Sequence, residues 1–154
     1  ITRLLLDQGA DIEESEEHSW TSLHIAAQQG FLGVVNLLLE RGASISARTN
    51  DHLTPLMISA DNGREDVVSF FVQKGAALEV RDKKGQTPLY IAVRYSQESA
   101  TELLLSLGGD PRTRADDGTT LWDAVGQGPP LSEDAERDAR IRELLMQAGY
   151  TEET

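Results

Sequence analysis

The sequence repeats with a period of 33 residues, and this period constrains the fold more than any other feature. Each period contains a short block that opens with threonine and continues with apolar residues. The four threonines are Thr21, Thr54, Thr87 and Thr120. Glycines keep the same spacing at Gly9, Gly42, Gly75 and Gly108. Such a period is typical of stacked repeats, in which each unit packs mainly on its neighbours.

The residues within one period predict a turn followed by two helices. The opening threonine suits a helix N-cap, because its hydroxyl can accept a hydrogen bond from a free backbone N–H. Pro55 and Pro88 fall at the first helical position, where no backbone donor is needed. Gly42 suits the left-handed end of the second helix. Small residues recur at equivalent positions of the first helix, at Ala26, Ala27, Ser59, Ala60 and Ala92. This recurrence predicts that the first helices of adjacent repeats approach closely.

The repeated blocks resemble the T-P-L-H-x-A signature of the ankyrin repeat. They read TSLHIA at 21–26, TPLMIS at 54–59, TPLYIA at 87–92 and, more degenerately, TLWDAV at 120–125. The resemblance implies an all-α fold, an ankyrin-repeat solenoid of helix-turn-helix units joined by short β-hairpin turns. It also implies that His24, in the histidine place of the block, hydrogen-bonds neighbouring turns.

The period divides the chain into five segments. They are a partial first repeat at 1–15 (a second helix and its exit turn), ankyrin repeats at 16–48, 49–81 and 82–114, and a modified C-terminal capping repeat at 115–154. The apolar run Leu4-Leu5-Leu6 has no partner helix in the sequence. We therefore expect the start to be a cut through a longer array.

The last repeat departs from the pattern by an insertion. From Thr120 to Gly149 it spans 29 residues, where the other repeats use 21 between the same positions. Glycines and prolines place the surplus in a loop at about 126–133. An amphipathic helix is predicted at Asp134–Gln147, and its polar outer face suits a cap.

Composition limits the partners. The chain carries 26 acidic and 14 basic residues, a formal net charge of -12, so we expect no nucleic-acid partner. It has no cysteine. No apolar run approaches the roughly 18 residues that span a bilayer, and no signal peptide opens the sequence. We expect no membrane partner and an intracellular location, in the cytoplasm, with the nucleus as the alternative.

The sequence predicts that the protein is not an enzyme. Its histidines, His18, His24 and His52, have no second ligand at metal-binding spacing. No phosphate-binding glycine loop, nucleophile elbow or zinc pattern occurs. We therefore expect no catalytic residue, no metal and no cofactor, and we do not expect a small-molecule ligand.

Ankyrin arrays generally bind partners through turn tips and the exposed sides of the first helices, which line the concave face. The resemblance therefore assigns a set of partner-binding positions to the turns and first helices. They are His18, Trp20, Gln28, Gln29, Arg48, Asn50, Leu53, Asp61, Asn62, Arg81, Lys83, Lys84, Gln86, Arg94, Tyr95 and Arg114.

Three of these positions are arginines that recur every 33 residues and would stack into one ladder, at Arg48, Arg81 and Arg114. With Lys83, Lys84 and Arg94 they would form a basic band suited to an acidic or phosphorylated segment, because arginine forks onto carboxylate and phosphate. Alternatively, each arginine pairs with a turn aspartate such as Asp82, and such exposed pairs are weak. The sequence leaves both interpretations open.

Two tryptophans receive different predictions. Trp20 is an anchor candidate for the partner, since tryptophan is enriched among binding hot spots, although it could instead tuck against the first repeat's turn. Trp122 occupies the leucine place of its block, and we predict that it belongs to the core and packs against the C-terminal helix.

The predicted function is a protein-protein interaction module that holds a protein or peptide on its concave face. The alternative is a regulatory or intramolecular scaffold segment of a larger multidomain enzyme or signalling receptor. Flanking sequence would discriminate, because a catalytic or nucleotide-binding domain next to Ile1 would favour the second.

Overall fold

A computed structural model describes residues 19–126 and 134–150 of the 154-residue chain. The predicted partial repeat at 1–15, the site candidate His18 and nearly all of the predicted insert lie outside the described residues. Within residues 19–126 and 134–150 the structure contains eight helices and no strand. In chain order they are α1 Ser22–Gln29, α2 Leu32–Glu40, α3 Pro55–Asp61, α4 Glu65–Gln73, α5 Pro88–Arg94, α6 Glu98–Ser106, α7 Leu121–Ala124 and α8 Asp134–Gln147.

The helices form two parallel layers that follow the repeat period. The first helices α1, α3, α5 and α7 contact one another in that order, and the second helices α2, α4, α6 and α8 do the same. Small side chains allow the first layer to pack closely, and Ala27, Ala60 and Ala92 are fully buried there. The predicted all-α repeat fold is therefore confirmed.

Local hydrogen bonds fix where the first helices begin. In three repeats the threonine hydroxyl accepts a hydrogen bond of 3.2–3.3 Å from the backbone N–H three residues later. These pairs are Thr54 with Met57, Thr87 with Tyr90, and Thr120 with Asp123. At Thr21 the backbone N–H instead donates to Nδ1 of His24 at 3.1 Å. The predicted N-caps thus start four helices, with a histidine taking part in one.

Positive φ angles mark the turns where the period places glycine. Gly42, Gly75 and Gly108 follow the second helices with φ of 93°, 92° and 103°. At two other turns a residue other than glycine has a positive φ. His52 has φ 62° at the position that Gly85 takes in the next repeat, and Ser96 has φ 54° at the position that Gly30 and Gly63 take in earlier repeats. The turns between repeats close with two backbone hydrogen bonds each, such as Asp82 N–H to Gln86 O and Gly85 N–H to Asp82 O, both at 3.1 Å. An isolated antiparallel bridge joins Arg114 and Thr120.

Side chains in the loop between the helices reach back to the preceding repeat. Nε of Arg64 donates to the Gln28 carbonyl at 3.0 Å. One repeat later, Nε2 of Gln97 donates to the Asp61 carbonyl at 2.7 Å. Both contacts join residues 36 apart in sequence. The repeats are therefore tied together by polar contacts as well as by their apolar core.

The C-terminal repeat contacts the preceding repeat through both of its helices, α7 against α5 and α8 against α6. The bounds of α8 are those predicted from the sequence, and Ile141, Leu144 and Leu145 are buried as expected. The Ser96 hydroxyl donates to Oδ1 of Asp138 at 2.7 Å. Arg140 also lies 3.6 Å from the Glu98 carboxylate.

The prediction that Trp122 belongs to the core is wrong in degree. The buried residues of α7 are Leu121, one position earlier, and Ala124, both 0% exposed. Trp122 is half-buried at the edge of the core, where its ring stacks on the buried ring of Tyr150 with centroids 5.6 Å apart. The guanidinium of Arg142, from α8, is exposed and lies 5.5 Å from the indole. The predicted contact with the C-terminal helix is present, but the indole lies at the edge of the core rather than inside it.

Candidate functional site

The turn tips of neighbouring repeats are hydrogen-bonded into a continuous edge. Lys83 N–H donates to the Asp51 carbonyl at 3.1 Å, and Asp116 N–H donates to the Lys84 carbonyl at 2.9 Å. These bonds use backbone atoms, so they hold the tips in place and leave the side chains available. A binding surface formed by the tips is therefore preorganised.

His24 fixes the tip of the following repeat. Its Nδ1 accepts from a backbone N–H, so Nε2 carries the proton in the neutral ring. Nε2 lies 3.1 Å from the carbonyl oxygens of both Ala47 and Leu53. The structural role that the resemblance implied for His24 is confirmed, and it positions Leu53 in particular.

A groove opens between the tips and first helices of the third and fourth repeats, with a volume of about 270 Å³. It is lined by Asp51, Leu53, Met57, Ile58, Asp61, Asp82, Lys83, Lys84, Gln86, Ile91, Arg94 and Tyr95. Met57, Ile58 and Ile91 are buried and form an apolar floor, whereas Lys83 and Lys84 are exposed at the rim. The groove thus combines an apolar base with charged edges.

Arg94 is the group in this groove whose hydrogen bonding is incomplete. Its Nε is buried and has no hydrogen-bond partner among the described residues. The guanidinium carbon lies 5.5 Å from the ring centroid of Tyr95, which is 38% exposed beside it. A buried donor without an acceptor costs free energy, and an acceptor supplied by a partner would recover it.

The carboxylates of the groove differ in their environments. Burial raises the pKa of Asp61, and the positive charge of Arg94 opposes that shift in part. Asp82 is already engaged, because its Oδ1 accepts from the backbone N–H of Lys84 at 2.8 Å and of Gln86 at 2.9 Å. Asp51 is exposed at the rim. Three acidic and three basic residues therefore line the groove, so its specificity depends on where each charge lies rather than on their sum.

Seven of the predicted site residues line this groove together. They are Leu53, Asp61, Lys83, Lys84, Gln86, Arg94 and Tyr95. Gln86 needs a correction as an exposed contact, since it is 7% exposed and its backbone closes the turn with Asp82. The sequence missed the floor residues Met57, Ile58 and Ile91. Their position in the helix predicts burial, and only the shape of the turn shows that they border an opening.

The three arginines predicted to form a ladder are exposed and connect successive turns. Arg48 donates to the Arg81 carbonyl at 3.3 Å, and Arg81 donates to the carbonyls of Arg114 and Gly85, each at 2.7 Å. Within the described residues, these hydrogen bonds go to backbone oxygens and not to Asp82, and the basic band stays a prediction. Arg48 also lines a second, smaller cavity, with Ile45, Ser46, Thr54, Leu56, Ala76, Ala77 and Val80, that shares no residue with the groove.

The other predicted site residues lie outside the groove lining. Trp20 is half-buried, with its ring 6.0 Å from that of His24. Asn50 is exposed and its Oδ1 accepts from Ser19 at 2.8 Å. Asn62 donates from Nδ2 to the Ile58 carbonyl at 2.8 Å. Gln28 is half-buried, and Gln29 and Arg114 are exposed.

The described residues offer neither a metal cluster nor a membrane-spanning helix. Residues 19–126 and 134–150 contain no group of three or more His, Cys, Asp and Glu side chains that could hold a metal ion. No described helix is both long and apolar enough to cross a membrane.

Stacked helix pairs, joined by tips that border a groove, define a repeat protein of the helical solenoid class. A family model of ankyrin repeats, in three copies, matches residues 1–49 and 46–115. The chain belongs to the ankyrin-repeat family. Ankyrin repeats are in general protein-protein interaction modules, and the family is typically non-catalytic. A search of curated proteins found no match.

Proposed function

We propose that this chain is a protein-interaction module that holds a segment of a partner protein in the groove beside Arg94. The groove lies on the side formed by turn tips and first helices, which the sequence assigns to the concave face. The observation that carries the proposal is the buried Nε of Arg94, which has no hydrogen-bond partner among the described residues. The atom is enclosed by the protein's own atoms, so a partner acceptor that reaches it once Arg94 changes rotamer would remove an existing cost.

The proposed partner presents an acidic or phosphorylated segment. Lys83 and Lys84 stand at the rim and Arg94 lies deeper, so a negative group entering the groove meets cations along its path. Tyr95 and the apolar floor would contact neighbouring apolar side chains of the same segment. Aromatic and arginine side chains are the residues most often found at binding hot spots.

The remaining parts of the proposal follow from the family and the charge. The module acts without catalysis, metal or cofactor, and it binds no nucleic acid because its net charge is -12. We place it inside the cell, in the cytoplasm. Repeat boundaries at residues 16, 49, 82 and 115 stay predictions.

The test is site-specific photocrosslinking in cell extract. A photoreactive phenylalanine analogue replaces Tyr95 at the groove, and in a matched protein it replaces Glu136, which is exposed on α8. We expect a defined protein adduct from position 95, absent from position 136, that disappears when Arg94→Gln is added. The control Arg112→Gln removes an equal charge from an exposed residue outside the groove and should leave the adduct intact. An adduct that persists with Arg94→Gln would contradict the proposed site.

A further inference from the structure

We infer that the groove selects a carboxylate side chain, an Asp or Glu of an extended partner segment, over a phosphate group. The inference rests on the proposed function, which allows an acidic or a phosphorylated partner segment, and it selects the acidic one. The observation behind it is that one buried donor, Nε of Arg94, belongs to the same groove as several acidic residues and an apolar floor.

The first argument is the match between donor and acceptor. Nε of Arg94 is one N–H with no partner among the described residues, beside a guanidinium that already lies over the Tyr95 ring. A carboxylate oxygen satisfies one such donor with a charge-assisted hydrogen bond. A phosphate carries three strong acceptor oxygens, and the groove does not place a comparable set of buried donors around them.

The second argument is the negative charge that already lines the groove. Asp61 lies within it, and Asp51 stands at its rim. A phosphate carries a charge of about -1.5 to -2 at neutral pH, so each carboxylate repels it nearly twice as strongly as it repels a partner carboxylate. The cations at the rim, Lys83 and Lys84, attract both ligands but are exposed and screened by salt.

The third argument is the floor. Met57, Ile58 and Ile91 are buried side chains that border the opening. The methylene groups of Glu can lie against such a surface while the carboxylate reaches Arg94. A phosphate that leaves water at an apolar wall loses hydration without replacement hydrogen bonds. The volume of about 270 Å³ exceeds what one carboxyl group fills, so an adjacent apolar residue of the segment enters as well.

The experiment begins with phage-displayed random peptides, which are unphosphorylated. They are selected on the wild-type protein and counter-selected on Arg94→Gln. We expect the retained peptides to share one Asp or Glu next to apolar residues. The consensus peptide is then synthesised with Glu, Gln or phosphoserine at the acidic position and titrated by fluorescence anisotropy.

The expected result is that Glu binds tightest, with Gln weaker by roughly tenfold or more, the usual effect of a charge-assisted hydrogen bond. Phosphoserine should also bind more weakly than Glu, and Asp61→Asn should narrow that difference by removing repulsion. Arg94→Lys, which keeps the charge but lacks the Nε–H, should lose most of the preference for Glu over Gln. Arg112→Gln is the charge-matched control and should bind all three peptides as the wild type does.

Two outcomes would overturn the inference in distinguishable ways. Tighter binding of the phosphoserine peptide than of the Glu peptide to the wild type would establish a phosphate site and leave the proposed function standing. Failure to retain any peptide over the Arg94→Gln counter-selection would remove both the inference and the groove as the partner site. Because the Arg94 side chain makes no hydrogen bond among the described residues, thermal unfolding should confirm that its variants remain folded.

Discussion

The central repeats and the C-terminal repeat begin in the same way but are completed differently. In the central part, α3 and α5 are each seven residues long and begin with a proline that follows a capping threonine. In the last repeat the same kind of cap starts α7, which ends after four residues. Its second helix, α8, is fourteen residues long, against nine for α4 and α6.

This difference shows which properties of a helix are encoded locally. The start of α7 is fixed by Thr120 and Asp123, whose side chains bond each other's backbone N–H groups. Its length and its buried face depend instead on what packs against it. In α3 the leucine that follows the proline is buried, whereas in α7 burial falls on Leu121 and leaves Trp122 half-exposed. Repeats with the same opening block can therefore differ in stability.

The largest expected loss of stability is in the central repeats. Phe71 of α4 is fully buried, so Phe71→Ala should lower the free energy of unfolding by about 3–5 kcal/mol. Urea denaturation measures the loss. Phe70→Ala, on the same helix but half-buried, is the control and should cost less. A smaller loss for Phe71→Ala than for Trp122→Ala would reverse the comparison between the two regions.

In the C-terminal repeat, the burial of a side chain should affect the free energy of unfolding more than the size of that side chain does. Trp122→Ala should cost about 1–3 kcal/mol, because the indole is covered on part of its surface. Leu121→Ala empties a fully buried site and should cost about 2–5 kcal/mol, although leucine is the smaller side chain. The two variants are compared by denaturation under the same conditions. If the tryptophan variant is the less stable one, the indole contributes to the core after all.

The contact between the two regions can be weakened without altering either. Ser96→Ala removes the hydrogen bond to Asp138 and should destabilise α8 by about 1 kcal/mol. Amide exchange at Ile141 and Leu145 reports on α8, with Phe71 as the central reference. Ser106→Ala is the matched control, since that hydroxyl donates to the Leu103 carbonyl within its own helix. Unchanged exchange in α8 would show that the buried leucines alone hold the cap.

The smallest expected change in stability comes from Asp61 in the groove, and it depends on pH. Because burial raises the pKa of Asp61, its ionised form destabilises the fold at neutral pH. Asp61→Asn should therefore stabilise the protein at pH 7. The gain should shrink as the pH falls through the raised pKa, and it should vanish below the ordinary value of 3.8, where both the folded and unfolded forms of Asp61 are protonated.

Asp51→Asn removes the same charge from an exposed position at the rim of the groove. It should give no comparable gain, and thermal melts of both variants across this pH range make the comparison. Equal stabilisation by the two changes would mean that net charge, rather than the burial of Asp61, is responsible.

Much of the fold could be predicted from the sequence because its determinants are local. The capping threonines, the glycines at positive φ and the amphipathic pattern of 134–147 are short-range signals. The burial of Leu121 in place of Trp122 could not be predicted in this way. It depends on tertiary packing, in which α7 contacts α5 while Trp122 meets Tyr150 and Arg142 from beyond the insert, and no local pattern encodes these contacts.

The candidate site was less predictable for the same reason. The resemblance to ankyrin repeats assigned Lys83, Lys84 and Arg94 to the binding surface, and the groove contains all three. The 33-residue spacing predicted an arginine ladder and left its partners open. A side chain takes its acceptor from distant residues, and Arg81 donates to backbone carbonyls. The unsatisfied Nε of Arg94 is a product of packing, so the sequence carries no signal for it.

Several contacts between repeats share one kind of acceptor, a backbone carbonyl, and this bears on how such a chain can change over time. Arg64 and Gln97 differ in side chain, yet each donates to a backbone carbonyl of the preceding repeat, and Arg48 donates to one of the following repeat. Every residue supplies a carbonyl, so the receiving repeat needs no particular amino acid at that position. A duplicated repeat would supply the same backbone acceptors to these three donors. The acceptor side of these contacts is thus independent of sequence, which favours lengthening or shortening of the array by whole units.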